Sequence, residues 1–424
     1  MSSLPMIEEI VAREGISPGA ATSAKESKSD LKSVSRLSVG ERRFLVYPPS
    51  SVFGIQEQID GSADFAVEPN IFFQPKFCVP ALNRIEEKQV RLLLLQDGGR
   101  DDALTRFLMP FTVERPGFSL GPSIMRAWSS PYGPSGVPIV ERREASQTVE
   151  DVFFTLAQRS LDLPKIMVLP QVPVTSKTIS LMRSVAISLG LPTASTKAEQ
   201  RPVLDATMEP QLFLQESMSG HHRRNYSRLQ RQLDQAGNLK YAIARNPDEV
   251  RLALEEFLLL ENRGWKGEKR TSLASDRYRG AFAREAVNNL AQSDKVRIHS
   301  YTLDGAVIAS LIVFVDANRA WTWKTTYDED LSRFSPGVLL MMRATETMLD
   351  DPNILSADSC AIAEHPMMSR LWSERTDITN LVIGMSPELE TEVRQVASQL
   401  DLYKSTRNFA RSMRDRLAEM IKRR

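Results

Sequence analysis

Between residues 206 and 385 the apolar positions switch repeatedly between a period of two and a period near 3.6, and the switches mark out an ordered set of elements. Residues 239–244 read as a strand. Asn246-Pro247-Asp248-Glu249 then opens a helix, with asparagine as cap, proline at the first turn and acids near the positive end of the dipole. A second helix over residues 276–292 sets Tyr278, Phe282, Ala286 and Leu290 on one face. Residues 296–303 and 307–315 flank Asp304-Gly305, a dipeptide suited to the positive φ angles of a two-residue hairpin, so these strands are expected to pair antiparallel. Asp316-Ala317-Asn318 turns the chain into a third strand, 319–327, rich in aromatic residues and threonine. A helix over 337–349, a buried strand over 354–358, a short helix over 367–372 and a last strand over 378–383 complete the run.

The first half is less regular. Residues 17–38 hold few large apolar side chains and are expected to form a flexible leader within residues 1–40. From Arg43 to Asp205, short strand-like runs (44–47, 91–96, 105–113) punctuated by proline and glycine precede a helix over 148–161, a strand over 165–170 and a helix over 176–189. This α/β unit (41–205) contains a stiff Pro-rich turn, residues 129–138. After the second unit (206–385), residues 386–424 read as a packed terminal helix with Met413, Leu417 and Met420 on one side.

Composition narrows the classes. The 54 basic and 53 acidic residues leave a formal charge of +1, so no global field draws the chain to nucleic acid. Cys78 and Cys360 alone exclude a disulfide framework or a cysteine-rich zinc site, and fit a reducing, cytoplasmic setting. Adjacent His221 and His222 point to different sides of a helix and make a poor metal site; no metal is expected. The most apolar stretch, 306–315, is too short to span a membrane, and residues 1–16 lack the form of a signal peptide.

Chemistry gathers at residues 328–337, a polar loop that opens onto a helix. A helix start offers unpaired N–H groups and a positive dipole end; with Arg333, Ser335, Pro336, Gly337 and Val338 around it, it is a candidate pyrophosphate cradle. An ordinary capped helix, Ser335 as cap and Pro336 at the first turn, is the alternative. The basic stretch from His221 to Arg228 lies on a helix expected to end at Gly237, and reads as a solvated face or a phosphate-binding one.

Three segments carry a family resemblance. Glu261-Asn-Arg-Gly-Trp265-Lys266-Gly267, Tyr327-Asp328 with Phe334-Ser335-Pro336-Gly337, and His365-Pro366-Met367 with Arg370-Leu371-Trp372 resemble CelD-type (cellulose biosynthesis) acetyltransferases of the GNAT fold, relatives of the FemAB proteins. The resemblance implies an α/β fold of two tandem GNAT-like domains, each a central antiparallel meander with flanking helices, the N-terminal one degenerate. It also implies acetyl-CoA or another acyl-CoA as co-substrate, held by the 333–338 segment, and a small-molecule or saccharide acceptor, as in polysaccharide or cell-envelope biosynthesis. Arg333 stands one residue farther from Gly337 than the general GNAT signature places it. Titratable groups in the resembling segments, Glu261, Asp328, Glu364 and His365, are the catalytic candidates, and Trp265, Lys266 and Tyr327 the substrate-binding ones. An aminoacyl-tRNA-dependent FemAB-like transferase and a non-catalytic scaffold of the same fold remain open.

Overall fold

A computed structural model describes residues 6–10, 42–85, 89–98, 103–363 and 365–422. The expected leader over 17–38 lies outside them, as does Glu364. In the first half β1 (Ile7–Ile10) and β2 (Arg42–Tyr47) precede two single-turn helices, α1 (Pro49–Val52) and α2 (Gln56–Ile59), and a longer one, α3 (Pro75–Arg84). A meander of β3 (Arg91–Asp97), β4 (Leu104–Glu114) and β5 (Ile124–Ala127) follows, with the short β6 (Ile139–Val140) against β4. Then come α4 (Ala145–Ala157), β7 (Ile166–Pro173), α5 (Lys177–Ser188), β8 (Thr193–Ser195) and β9 (Glu199–Asp205).

The second half repeats that order. Helices α6 (Pro210–Ser217) and α7 (Gly220–Asp234) lead to β10 (Leu239–Ala244), α8 (Pro247–Arg263), single-turn α9 (Trp265–Glu268) and α10 (Arg277–Ala291). The meander β11 (Val296–Leu303), β12 (Ala306–Asp316) and β13 (Arg319–Tyr327) runs into α11 (Pro336–Asp350), β14 (Ser356–Asp358), α12 (Met368–Leu371), β15 (Arg375–Gly384) and α13 (Glu390–Lys422). Local chemistry explains the boundaries: Asn246 Oδ1 accepts from Glu249 N at 2.9 Å to cap α8, and Asp304 and Gly305 take φ values of 50° and 87° at the hairpin. Helix α7 stops at Asp234, three residues short of Gly237; its last turn closes on Gln235, whose N–H reaches the Arg231 carbonyl.

The strands among the described residues lie on one path, β1-β2-β3-β4-β5-β7-β15-β9-β14-β13-β12-β11-β10, with β6 and β8 at its side. Each half is antiparallel until a single parallel step, β5 beside β7 and β13 beside β14. The last strands are then exchanged: β9, from the first half of the sequence, completes the second half by pairing with β14, whereas β15 returns to pair with β7. This crossing was not readable from periodicity, which gives a strand's existence but not its neighbour.

One apolar core runs between the halves, where α3 packs on α10 and Phe77 meets Phe282, Phe314 and Trp323 at 5.4, 5.7 and 5.9 Å. A second lies under α11 on the opposite face of the β10–β14 strands. The terminal helix packs through its first turns by Val393, Val396 and Ala397, and its contacts continue to Tyr403, 5.2 Å from the Phe118 ring, and Lys404, 2.9 Å from Glu199; farther along Phe409 and Met413 are exposed, which corrects the expected packed face at Met413. Side chains of Leu417 and Met420 lie outside the description. Among the described residues no helix is long and apolar enough to cross a membrane, and no cluster of three metal-ligating side chains occurs. Cys78 and Cys360 are both free thiols.

Candidate functional site

Strand β13 pairs with β14 only from Arg319 to Trp321, and Thr322 Oγ1 donates a last bond to the Ser359 carbonyl at 3.0 Å. From Trp323 to Tyr327 it runs on without a strand partner on that side among the described residues. Strand β14 thus ends at Asp358 while β13 continues beyond it, and β13 leads straight to the loop and helix singled out in the sequence. The register of β13 against β12 slips between Ile312 and Val313, leaving Trp323 as an extra, bulged residue.

At the loop, the candidate cradle differs from the ordinary capped helix. Ser335 takes φ 52° and makes no side-chain capping bond, so the expected serine cap is not formed; the left-handed backbone has turned its hydroxyl away. Its carbonyl instead holds the Val338 and Leu339 N–H groups at 3.0 and 3.1 Å. Because Pro336 has no N–H, Gly337 is left as the first-turn residue with an uncommitted amide. Gly337 does not face open space, as a Cβ there would lie 3.0 Å from the Tyr327 ring. Arg333 is exposed, stacked 4.7 Å from the Phe334 ring, with no acidic partner among the described residues. The equivalent position in the first half, just before α4, is Glu144, also left-handed at φ 56°. Its carboxylate joins a cluster of Arg42, Asp97 and Asp151, and a carboxylate at that spot would repel phosphate.

The remaining candidates divide into two groups. Glu261, Lys266, Trp265, Tyr327 and Asp328 are brought together where α8 and α9 meet the end of β13. Glu261 is buried, accepting from Lys266 Nζ at 3.2 Å and Leu273 N at 2.8 Å, so its oxygens serve structure. Lys266 Nζ also donates to the Thr325 carbonyl at 2.8 Å. Half-exposed Trp265 donates its backbone N–H to Glu329 Oε1 at 2.7 Å, with Lys269 Nζ 5.1 Å over its ring. Asp328 Oδ1 accepts from Asp330 N at 3.0 Å, capping the turn that follows. His365 sits apart, on the loop after β14, which parallel pairing brings to the same sheet edge as the end of β13. Burial holds its pKa below the ordinary value. Its Nδ1 accepts from Met368 N at 3.3 Å, so the neutral ring carries its proton on Nε2 and presents a donor.

Sequence reasoning missed two residues. Because of the bulge, consecutive Trp323 and Lys324 both reach the α8/α10 side: Trp323 lies 6.1 Å from Phe282, and Lys324 Nζ sits 4.7 Å over the ring of Tyr132, itself 5.9 Å from Phe282. Tyr132 belongs to the Pro-rich turn at 129–138. Ser130 Oγ accepts from Tyr132 N and Gly133 N at 3.1 and 3.2 Å, and the Tyr132 carbonyl accepts from Trp323 Nε1 at 2.8 Å. The turn is therefore stiff, as expected, and it carries part of the first half into the site of the second. Burial pushes the Lys324 ammonium down to about 8, against an opposing pull from Glu261. A charged residue within Trp-Thr-Trp-Lys-Thr-Thr was the available signal.

Residues 220–361 match an acetyltransferase (GNAT) domain. That span runs from α7 to just past β14 and takes in the unpaired end of β13, the loop and α11. No curated protein matches the chain. Among solved structures, FemX is 10% identical, with 80% of this chain and 98% of that one covered at a TM-score of 0.48. The C-terminal domain of a putative lysylphosphatidylglycerol synthetase from Agrobacterium fabrum is 13% identical (70% and 85% covered, TM-score 0.43). A tandem GNAT protein from the clavulanic acid biosynthesis pathway is 15% identical (81% and 99%, TM-score 0.37). The fold is α/β, two tandem GNAT-like units, of which the first, with Glu144 at its helix start, is degenerate.

Proposed function

We propose that the chain is an N-acyltransferase that takes its acyl group from acetyl-CoA or another acyl-CoA and delivers it to an amine or hydroxyl of a small-molecule or saccharide acceptor. The observation that carries this reading is the unpaired end of β13, which runs past β14 and leads directly to a helix start with a free arginine. In it, Arg333, the Gly337 amide and the backbone of Ser335 to Val338 hold the pyrophosphate, and the exposed edge of β13 receives the pantetheine arm and acyl carbonyl. Tyr327 fixes the helix start by packing on Gly337. His365 acts as a donor through Nε2, and Lys266 braces β13 through the Thr325 carbonyl. The CelD-type resemblance adds polysaccharide or envelope production as the setting, in the cytoplasm.

A second reading, transfer from aminoacyl-tRNA, is favoured by α7. Its exposed face carries Arg224, Arg228 and Arg231 with no ion pair to an acid among the described residues, and Tyr226 stacks on His222 at 6.3 Å. Calorimetry separates the two. Acetyl-CoA or a longer acyl-CoA is expected to bind with measurable heat, and Arg333→Ala to weaken it roughly tenfold by removing a charge-assisted phosphate contact. No heat with any acyl-CoA, alongside salt-sensitive retention of charged tRNA, replaces the first reading with the second.

A further inference from the structure

The α8/α10 side of β13 has one positive charge too many. Three cations meet there: Lys266 from α9, Arg279 from α10 and Lys324 from β13 itself. Lys266 is matched by Glu261, and Arg279 by Asp276 at 4.0 Å, with its Nη2 donating to the Arg270 carbonyl at 3.1 Å. The Lys324 side chain has no hydrogen bond or ion pair among the described residues. The acid nearest to it in charge, Glu261, has both oxygens committed to Lys266 and the Leu273 N–H. The Tyr132 ring supports the ammonium from one side by its negative face, which leaves N–H donors with no protein acceptor among the described residues. Lys324 is only partly buried, so an arriving anion would replace water on donors that no protein group engages.

The bulge at Trp323 is what turns Lys324 to this side, and the Trp323–Tyr132 bond fixes the ring beneath it. The arrangement is therefore built, from both halves of the chain, next to the strand edge assigned to the acyl group. We propose that Lys324, seated on Tyr132, binds the carboxylate of the acceptor, so that the acceptor class is a molecule bearing both a nucleophilic amine or hydroxyl and a carboxylate. A single uncompensated charge matches a monoanion; a phosphate dianion would call for a second free cation. The inference rests on the acyl-transfer reading for the word acceptor alone, since anion binding at Lys324 can be read without any acyl donor.

The test uses the full chain and butyrate as the probe, with saturation-transfer NMR as the readout and inorganic phosphate as the rival anion. Butyrate is expected to bind the wild type at pH 7, about tenfold more weakly to Lys324→Met, and with little change to Lys324→Arg. Four groups face the ammonium: Glu261, Lys266, Arg279 and Tyr132. Lys324 loses its charge as pH rises through about 8, so wild-type binding fades across that range, while the arginine variant binds at pH 9.5 as it does at pH 7. Undiminished binding to Lys324→Met, absence of butyrate binding to the wild type, or a flat wild-type pH profile overturns the proposal. Phosphate binding more tightly than butyrate, through Lys324, overturns the carboxylate assignment. Acetyl-CoA calorimetry on the same variants keeps the readings apart: if no acyl-CoA binds but butyrate still depends on Lys324, acyl transfer fails and the carboxylate subsite stands.

Discussion

His299 on β11 shows what burial does to a single titratable residue in this protein. Its Nδ1 lies 2.6 Å from Tyr241 Oη, which is also 3.0 Å from Thr347 Oγ1, and burial, with Arg297 nearby, pushes its pKa down to about 3. An unfolded histidine titrates near 6.5, so between about pH 3 and 6.5 the unfolded chain binds a proton that the folded chain refuses. Stability therefore falls as pH drops through that window, with a slope approaching about 1.4 kcal/mol per pH unit from this group. His299→Gln keeps a polar partner for Tyr241 and cannot titrate, so urea unfolding midpoints of the variant should decline less between pH 6.5 and 4; an unchanged decline would assign the acid sensitivity elsewhere. His365 was visible in the sequence through the resembling segment His365-Pro366-Met367, whereas His299 stood unremarked in a strand. Exposure separates such residues, and sequence spacing does not reveal it. The same limit hid Lys324, whose direction depends on a bulge one residue upstream.

Among the elements, those set by neighbouring residues were legible and those set by distant ones were not. The Asp304-Gly305 hairpin and the Asn246 cap form as their chemistry requires, because every partner lies within a few positions. The Gly-Trp-Lys-Gly segment gave a resemblance without a shape. It forms α9, a single turn folded back on the end of α8 so closely that a Cβ on Gly267 would stand 1.8 Å from the Asn262 carbonyl oxygen. Backbone on both sides leaves no flexible atom to yield. Gly267→Ala should therefore push α9 away, draw Lys266 from Glu261 and the Thr325 carbonyl, and cost about 1–3 kcal/mol as overpacking does. Urea unfolding measures the cost; a variant as stable as the wild type would show that α9 shifts freely and does not brace β13.

Across the whole molecule, the repeat of two similar halves suggests two independent folding units, and the pairing of their last strands argues against it. Strand β9 lies between β14 and β15, and β15 lies between β7 and β8/β9, so each half is completed by a strand the other supplies. Buried charges fasten the crossing. Asp358 on β14 meets Arg201 of β9 at 3.4 Å and Arg319 of β13 at 3.3 Å, and Arg319 reaches Glu68 of the first half at 3.3 Å. The core between α3 and α10 is likewise shared. A chain cut between Asp205 and Ala206 leaves residues 206–424 without β9, with β14 open on one side, Asp358 stripped of one arginine and β15 without β7. Unsatisfied strand edges and a half-exposed core then offset what the remaining packing contributes. The intact chain is accordingly expected to unfold in one transition, with tryptophan fluorescence, from Trp128 in the first half and four tryptophans in the second, and circular dichroism following the same curve in urea. The 206–424 fragment alone should show no cooperative transition, and co-expression with residues 1–205 should restore one. Two separated transitions in the intact chain, or cooperative unfolding of the lone fragment, would mean that the exchanged strands join two units that stand without each other.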